Sequence, residues 1–166
     1  MYMGGEMNSD CLVDTLNLAE LLVKKNYFLS VAESCTGGLL SNLLTNCPGS
    51  SEWFKGGIIA YSNEIKRKLL NVEENILQRY GAVSKQCVLQ MVEGLVRLFN
   101  TEVGISISGI AGPGGGSLLK PVGTVFQGFW IKEKVWVKKY FFTGSRIEIK
   151  EQSVKAALTE LITNLL

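Results

Sequence analysis

The stretch from Ser106 to Val125, Ser-Ile-Ser-Gly-Ile-Ala-Gly-Pro-Gly-Gly-Gly-Ser-Leu-Leu-Lys-Pro-Val-Gly-Thr-Val, constrains the fold more than any other part of the chain. It holds six of the 18 glycines and two of the three prolines, so neither a helix nor a strand runs through it. An apolar run, Val103 to Ile107, enters it, and an alternating run, Thr124 to Ile131, leaves it. Two strands joined by a long turn-rich connection are expected. Glycines free the backbone to turn its N–H groups toward one point, and such a nest holds an anion. The one charge in the connection is Lys120, between Leu119 and Pro121. The loop is therefore a candidate wall for an anionic small molecule such as a phosphate ester. A plain hairpin connection without a ligand would use the same residues.

The rest of the chain alternates helical and strand patterns. Residues 1–8 read as a loose tail, and Asp10 as the cap of a helix with Leu12, Leu16, Leu18, Leu21 and Leu22 at helical spacing, ending near Lys25. A short strand, Tyr27 to Ala32, follows. Then comes a Glu-Ser-Cys-Thr-Gly-Gly turn (33–38) and a short helix, Leu39 to Asn46. After a Pro-Gly-Ser-Ser turn (48–51), Ile58 to Ser62 reads as a strand, and Asn63 as the cap of a helix through Leu70. Glu73 to Tyr80 is a further helix closed by Gly81. Ser84 caps an amphipathic helix with Val88, Met91, Val92, Leu95, Val96 and Phe99 on one face. The alternating runs 124–131 and 135–142 flank Lys132-Glu133-Lys134 as a β-hairpin, and a last helix runs from Ser145-Arg146 to Leu166. The fold class is α/β: a three-layer α/β/α arrangement with a mixed, mostly parallel sheet ending in a β-hairpin. A single domain over 9–166 accommodates all of it. Loops at strand ends, where α/β folds place ligands, are rich in Gly, Ser or Thr at 33–38, 49–57, 61–66 and 108–124.

Composition removes whole classes of chemistry. There is no histidine, which excludes Ser-His-Asp and Cys-His mechanisms and histidine metal sites. Cysteines 11, 35, 47 and 87 form no Cys-x-x-Cys pair, so no metal is expected, and they suit the reduced thiols of a cytoplasmic protein. A formal net charge of +2 points to no nucleic-acid partner, and no apolar run is long enough to cross a membrane. A P-loop, a dinucleotide fingerprint and a Gly-x-Ser-x-Gly elbow are all absent. A base must then come from Lys, a carboxylate, Tyr or water.

What remains is a surplus of hydroxyls beside few bases. Lys66, near a helix start and shortly after Ser50, Ser51 and Tyr61, would take a proton from a serine if desolvation lowered its pKa; with Arg67 and Lys68 beside it, a solvated helix lysine is the plain alternative. Ser34, Thr36 and Gly37 stand at a helix N-terminus, as either an anion site or an ordinary capping turn. Arg146 opposes the dipole of its helix, which favours a bound anion over a surface carboxylate.

Seven blocks together resemble one family. They are Ala32-Glu33-Ser34-Cys35-Thr36-Gly37-Gly38, Gly49-Ser50-Ser51-Glu52-Trp53-Phe54, Gly57 with Tyr61-Ser62-Asn63-Glu64-Ile65-Lys66, Gly81-Ala82-Val83-Ser84, Ser108-Gly109-Ile110-Ala111-Gly112-Pro113, Lys120-Pro121-Val122-Gly123-Thr124-Val125 and Phe142-Thr143-Gly144-Ser145-Arg146. In this order, over about residues 10–166, they resemble the CinA C-terminal domain, the nicotinamide mononucleotide (NMN) amidohydrolase family. The larger N-terminal domain of full-length CinA proteins has no counterpart here, so the expectation is the stand-alone form.

The resemblance implies a cytoplasmic enzyme of pyridine-nucleotide salvage, a homodimer or higher homo-oligomer. It would hydrolyse the carboxamide of NMN to nicotinate mononucleotide and ammonia with no cofactor and no metal. It implies a serine nucleophile and a lysine base, carried by block onto Ser51 and Lys66, with Tyr61 orienting the pair. Ser34, Thr36, Gly37, Ser50, Ser108, Gly109, Gly112 and Arg146 are implied as substrate-binding positions. Ser108 stands where some relatives carry threonine, which preserves the hydroxyl. Ser34, Ser50 and Ser51 all remain open as nucleophile on the residues alone. The alternative function is a non-catalytic nucleotide-binding module, regulatory or accessory to competence or damage induction.

Overall fold

The computed structural model describes residues 9–166, with side chains from Val13 onward. The expected tail 1–8 and the cap by Asp10 lie outside the described side chains. Helix α1 (Ser9–Lys25) leads into β1 (Leu29–Glu33), α2 (Leu39–Thr45), a 3-10 turn (Ser50–Glu52) and β2 (Phe54–Ile59). Helices α3 (Asn63–Leu70), α4 (Glu74–Tyr80) and α5 (Lys85–Phe99) follow, then β3 (Val103–Gly109), β4 (Thr124–Ile131), β5 (Lys134–Phe141) and α6 (Arg146–Leu165).

The five strands form one sheet in the order β2-β1-β3-β4-β5. β1 pairs in parallel with both β2 and β3, whereas β3–β4 and β4–β5 are antiparallel. The parallel crossovers run in opposite senses, from β1 out to β2 and from β2 back past β1 to β3. A common right hand then requires their helices on opposite faces. That is the arrangement found. Leu18 and Leu22 of α1, Leu40 and Leu44 of α2 and Leu158 and Leu161 of α6 pack with Val31, Ile105 and Phe129 on one face. Leu70 of α3, Leu77 of α4 and Val88, Met91 and Leu95 of α5 pack with Ala32 and Ala60 on the other. The three-layer α/β/α expectation holds, with the closing hairpin making the sheet mixed.

Alternation along the strands decides which residues meet the site. Val31 of β1 and Ile105 and Ile107 of β3 face α1, α2 and α6. Ser30, Ala32 and Ser34 on one strand line, and Ser106 and Ser108 on the next, therefore face α3–α5. The hydroxyls on that face are bonded: Ser30 to Thr101 at 2.7 Å, and Ser106 donating to the Val88 carbonyl at 2.6 Å. Helix α5 lies close enough for this because Gly128 stands beneath it, where a Cβ would fall 2.6 Å from the Val88 oxygen. Gly94 makes the matching close approach to the Leu70 carbonyl at the end of α3.

Three boundaries differ from the sequence reading. Glu33 belongs to β1 rather than to the turn. β2 starts at Phe54 and stops at Ile59, so Tyr61 and Ser62 lie past its end. Ser62, not Asn63, caps α3, with its hydroxyl accepting from the Ile65 N–H at 3.2 Å.

Candidate functional site

The C-terminal ends of β1, β2 and β3 open into a cavity of about 270 Å³, lined among others by Ser34, Cys35, Tyr61, Lys66, Ser108 and Arg146. Two ladder bonds carried past the strand ends draw its floor together. The Ser34 N–H donates to Ile107 O at 3.0 Å, and the Ala60 N–H to Glu33 O at 2.7 Å. Ser34, Ala60 and Ser108 thus stand side by side across three strands.

Lys66 rises into this floor from the first turn of α3. It is only 1% exposed, although its neighbours Arg67 and Lys68 are solvated. Its Nζ lies 3.0 Å from Ser34 Oγ, 2.6 Å from Ala60 O and 3.2 Å from Tyr61 O. No carboxylate pairs with it among the described residues, and burial pushes its pKa below the ordinary lysine value. Two of the three groups around Nζ are carbonyls, which only accept. As an ammonium Lys66 donates one N–H to each of the three; as a neutral amine it donates to the two carbonyls and its lone pair can accept the Ser34 proton.

The other positions divide. Ser108, 1% exposed, donates to Ala82 O at 2.9 Å and keeps its oxygen free to accept. Gly109 and Gly112 line the cavity together with Gly114 and Gly115 of the glycine-rich connection. Arg146 closes one side, donating to Gly112 O at 2.6 Å and to the Tyr61 hydroxyl at 3.4 Å. Tyr61 meets Lys66 through its carbonyl, while its ring is 62% exposed at the cavity mouth beside Arg146.

Ser50 and Ser51 are not brought to Lys66. They form the 3-10 turn that precedes β2, whereas Ala60, Tyr61 and Lys66 follow it. The six residues of β2 separate the two groups by roughly 20 Å. Ser51 is exposed at the far end of the sheet, where Trp53 O accepts the Leu29 N–H at the start of β1. The serine that the fold sets against Lys66 is Ser34.

The turn at Thr36 and Gly37, open between an anion site and a capping turn, leads into a helix start whose N–H groups are already bonded. The start of α2 is filled by the chain's own Glu33, whose wholly buried carboxylate accepts from the N–H groups of Gly38, Leu40 and Ser41 and from the Ser41 hydroxyl, at 2.7–3.1 Å. No side chain of the turn caps α2; its N-cap is Gly38. Thr36 is fully buried, its hydroxyl unpartnered, and it does not line the cavity. Sequence reasoning had placed Glu33 in a turn and so missed this role; a strand residue facing α2 across a Gly-Gly junction was the signal.

Two further residues bear on the site, Cys35, which the sequence does not mark, and Lys120, the one charge of the glycine-rich connection. Cys35 lines the cavity, and burial pushes its thiol up to about 11. Lys120 donates to Tyr80 O at 2.6 Å and so ties the glycine-rich connection to the end of α4. No group of three or more Cys, Asp or Glu side chains among the described residues is arranged to hold a metal ion. No helix among them is long and apolar enough to cross a membrane.

Residues 14–165 match the family model described as the CinA C-terminal domain. The chain belongs to that family. A CinA-like protein of Thermotoga neapolitana is 48% identical over 160 residues, covering 96% of this chain and 38% of the relative. A putative competence-damage inducible protein of Clostridium botulinum is 44% identical, covering 99% and 39%. The chain thus spans about two fifths of the length of these curated relatives. Solved structures are matched along nearly their whole length. The competence damage-inducible protein A of Klebsiella pneumoniae superposes with a TM-score of 0.91 at 32% identity, covering 93% of this chain and 96% of that one. A competence/damage inducible protein of Agrobacterium tumefaciens gives 0.91 at 34% identity, with 98% of each chain covered. The fold of this CinA-type domain is therefore that of its solved relatives.

Proposed function

We propose that this CinA-type domain is an amidohydrolase that removes ammonia from the carboxamide of nicotinamide mononucleotide, with Ser34 as nucleophile and Lys66 as its base. The observation that carries this is the Nζ–Oγ distance of 3.0 Å inside a buried floor that offers Lys66 only one proton donor. An amide is a weak electrophile, so the serine must be deprotonated as it attacks. Lys66, whose pKa burial lowers, takes that proton in its neutral form. The Ser34 Oγ–carbon bond forms, the carbonyl becomes an oxyanion, and Lys66 returns the proton to the departing nitrogen as the C–N bond breaks. Water then enters by the same route and bonds to the acyl carbon as Lys66 takes its proton; the Ser34 Oγ–carbon bond breaks, the acid leaves and Lys66 returns the proton to Ser34. Backbone amides of the glycine-rich wall, which lines the same cavity, would supply the oxyanion with donors. Ser108 lines the cavity beside that wall, and Arg146 offers its remaining N–H donors to the anionic part of the substrate.

A second reading is a nucleotide-binding module without chemistry, regulatory or accessory. It is favoured by the names of the relatives, which refer to competence and damage induction and not to a reaction. One experiment separates the two: calorimetry with nicotinamide mononucleotide alongside an ammonia assay. Binding with ammonia release, lost in Ser34→Ala while binding persists, is the expected result. Binding without ammonia release from the parent chain overturns the amidohydrolase in favour of the module.

A further inference from the structure

Lys150 lies one turn beyond Arg146 on α6, at positions i and i+4, so the two share a helix face. Arg146 lines the cavity from that face. Lys150 is partly buried and reaches the turn after β1: a Cβ built on Gly37 would stand 3.8 Å from its Nζ. Its charge is felt by the thiol of Cys35, which also lines the cavity. Arg146 thus lines the cavity against Gly112 and Tyr61, and Lys150 stands one turn further along α6 against the turn whose Cys35 lines the same cavity.

Neither cation has an ion pair among the described residues. Two carboxylates of the neighbouring elements are already committed. Glu33 is bound to the start of α2, and Glu148 is turned back onto Ser145 in a capping box. Two unpaired cations within the first five residues of a helix also work against its dipole. Lys66, which lines the cavity, is occupied with Ser34 and two carbonyls, and Lys120 of the glycine-rich connection with Tyr80 O.

We propose that Arg146 and Lys150 form a two-cation clamp for a phosphomonoester, and that Lys150 sets the preference for a phosphorylated over an unphosphorylated ligand. A phosphomonoester carries close to two negative charges at neutral pH and presents three acceptor oxygens. A planar guanidinium fork and a mobile ammonium match that group in charge and geometry, whereas a single carboxylate would leave one cation unpaired. The identity of the remainder of the ligand rests on the amide-hydrolysis proposal; the clamp itself rests on Arg146, Lys150 and the cavity.

The test is calorimetry on the full chain at low salt with nicotinamide mononucleotide, its riboside and inorganic phosphate, for the parent, Lys150→Met and Lys150→Arg. Lys150→Met should weaken the mononucleotide and phosphate at least about tenfold and leave the riboside unchanged, and Lys150→Arg should restore most of the loss. Equal weakening of mononucleotide and riboside, no weakening at all, or a parent chain that binds neither mononucleotide nor phosphate would overturn the clamp. Ammonia measured on the same samples keeps the two proposals apart. A phosphate-selective loss in a parent that releases no ammonia upholds the clamp and sinks the hydrolase; ammonia release with binding indifferent to Lys150 does the reverse.

Discussion

Two Gly-Ser turns of this domain look alike on paper and do opposite work in the fold. The first, at 33–38, leads from β1 into α2, and its serine meets a buried lysine. The second, at 49–52, leads from α2 into β2, and its serines face solvent or lie near the surface. In a parallel αβ unit, strand-to-helix turns gather at the C-terminal edge of the sheet and helix-to-strand turns at the other. The lysine comes after β2 and so belongs to the first edge. What separates Ser34 from Ser51 is the parity of the connection, not the local composition.

Substitution is the most direct way to break this contrast. Ser34→Ala and Lys66→Met should each lower amide hydrolysis by at least about a thousandfold, while Ser51→Ala and Ser50→Ala leave it within twofold of the parent. Ammonia release under single-turnover conditions checks it. A dead Ser51→Ala beside an active Ser34→Ala would reverse the assignment.

The pH dependence sharpens the same contrast. As general base Lys66 must be neutral, so turnover should rise with pH through its depressed pKa, with the acid limb falling below the ordinary lysine value of 10.5. Stability should follow the same sign. Between the depressed folded pKa and 10.5 the unfolded chain binds the extra proton, so stability rises with pH. Burial of Cys35 and Cys87 opposes this above pH 9.0, since both thiols are pushed from 9.0 to about 11 and the folded chain then holds more protons. Denaturant titrations below pH 9 should therefore show a positive slope in the parent that Lys66→Met flattens. An unchanged slope would place the lysine's proton on in the folded state.

Much of the architecture was legible before any coordinates. The 3.6-residue periods of α1 and α5 and the alternation of β4 and β5 each follow from one dominant buried face. The site was legible in its parts and not in its pairing. Lys66 was open between base and solvated helix lysine, because Arg67 and Lys68 beside it mask a burial that only the packing of α3 against Ala60 reveals. Glu33 was invisible as a cap because it lies before the helix by five residues, beyond the usual window for an N-cap side chain. Replacing it tests that reading. Glu33→Gln sets an amide –NH2 against the N–H groups that now share two carboxylate oxygens, which should cost about 3 kcal/mol in a urea melt. Glu52→Gln, in the exposed turn at the other edge, should cost less than about 0.5 kcal/mol.

Among the substitutions expected to change function, Lys120 has the smallest effect, and it concerns how the C-terminal edge of the sheet is held. The glycine-rich connection is fixed at its neck by Gly123 N–H to Ile110 O at 2.7 Å and Ile110 N–H to Thr124 O at 2.9 Å. Beyond the neck, Lys120 binds Tyr80 O, and Leu118 and Leu119 stand fully or nearly fully in solvent. That one hydrogen bond spans from the Gly114–Gly115 wall to the 81–83 turn, whose Ala82 carbonyl holds Ser108. Lys120→Met keeps the length of the side chain and removes the bond, a loss of about 1 kcal/mol to the closed arrangement. If the amidohydrolase proposal holds, the Michaelis constant should rise roughly fivefold with kcat within twofold, as expected of a wall that positions substrate without taking part in proton transfer. Proteolytic nicking should increase between Gly114 and Leu119 and nowhere in the 47–53 turn, which has no such tether to lose. A fall in kcat with an unchanged Michaelis constant would instead put the Lys120 ammonium among the reacting groups.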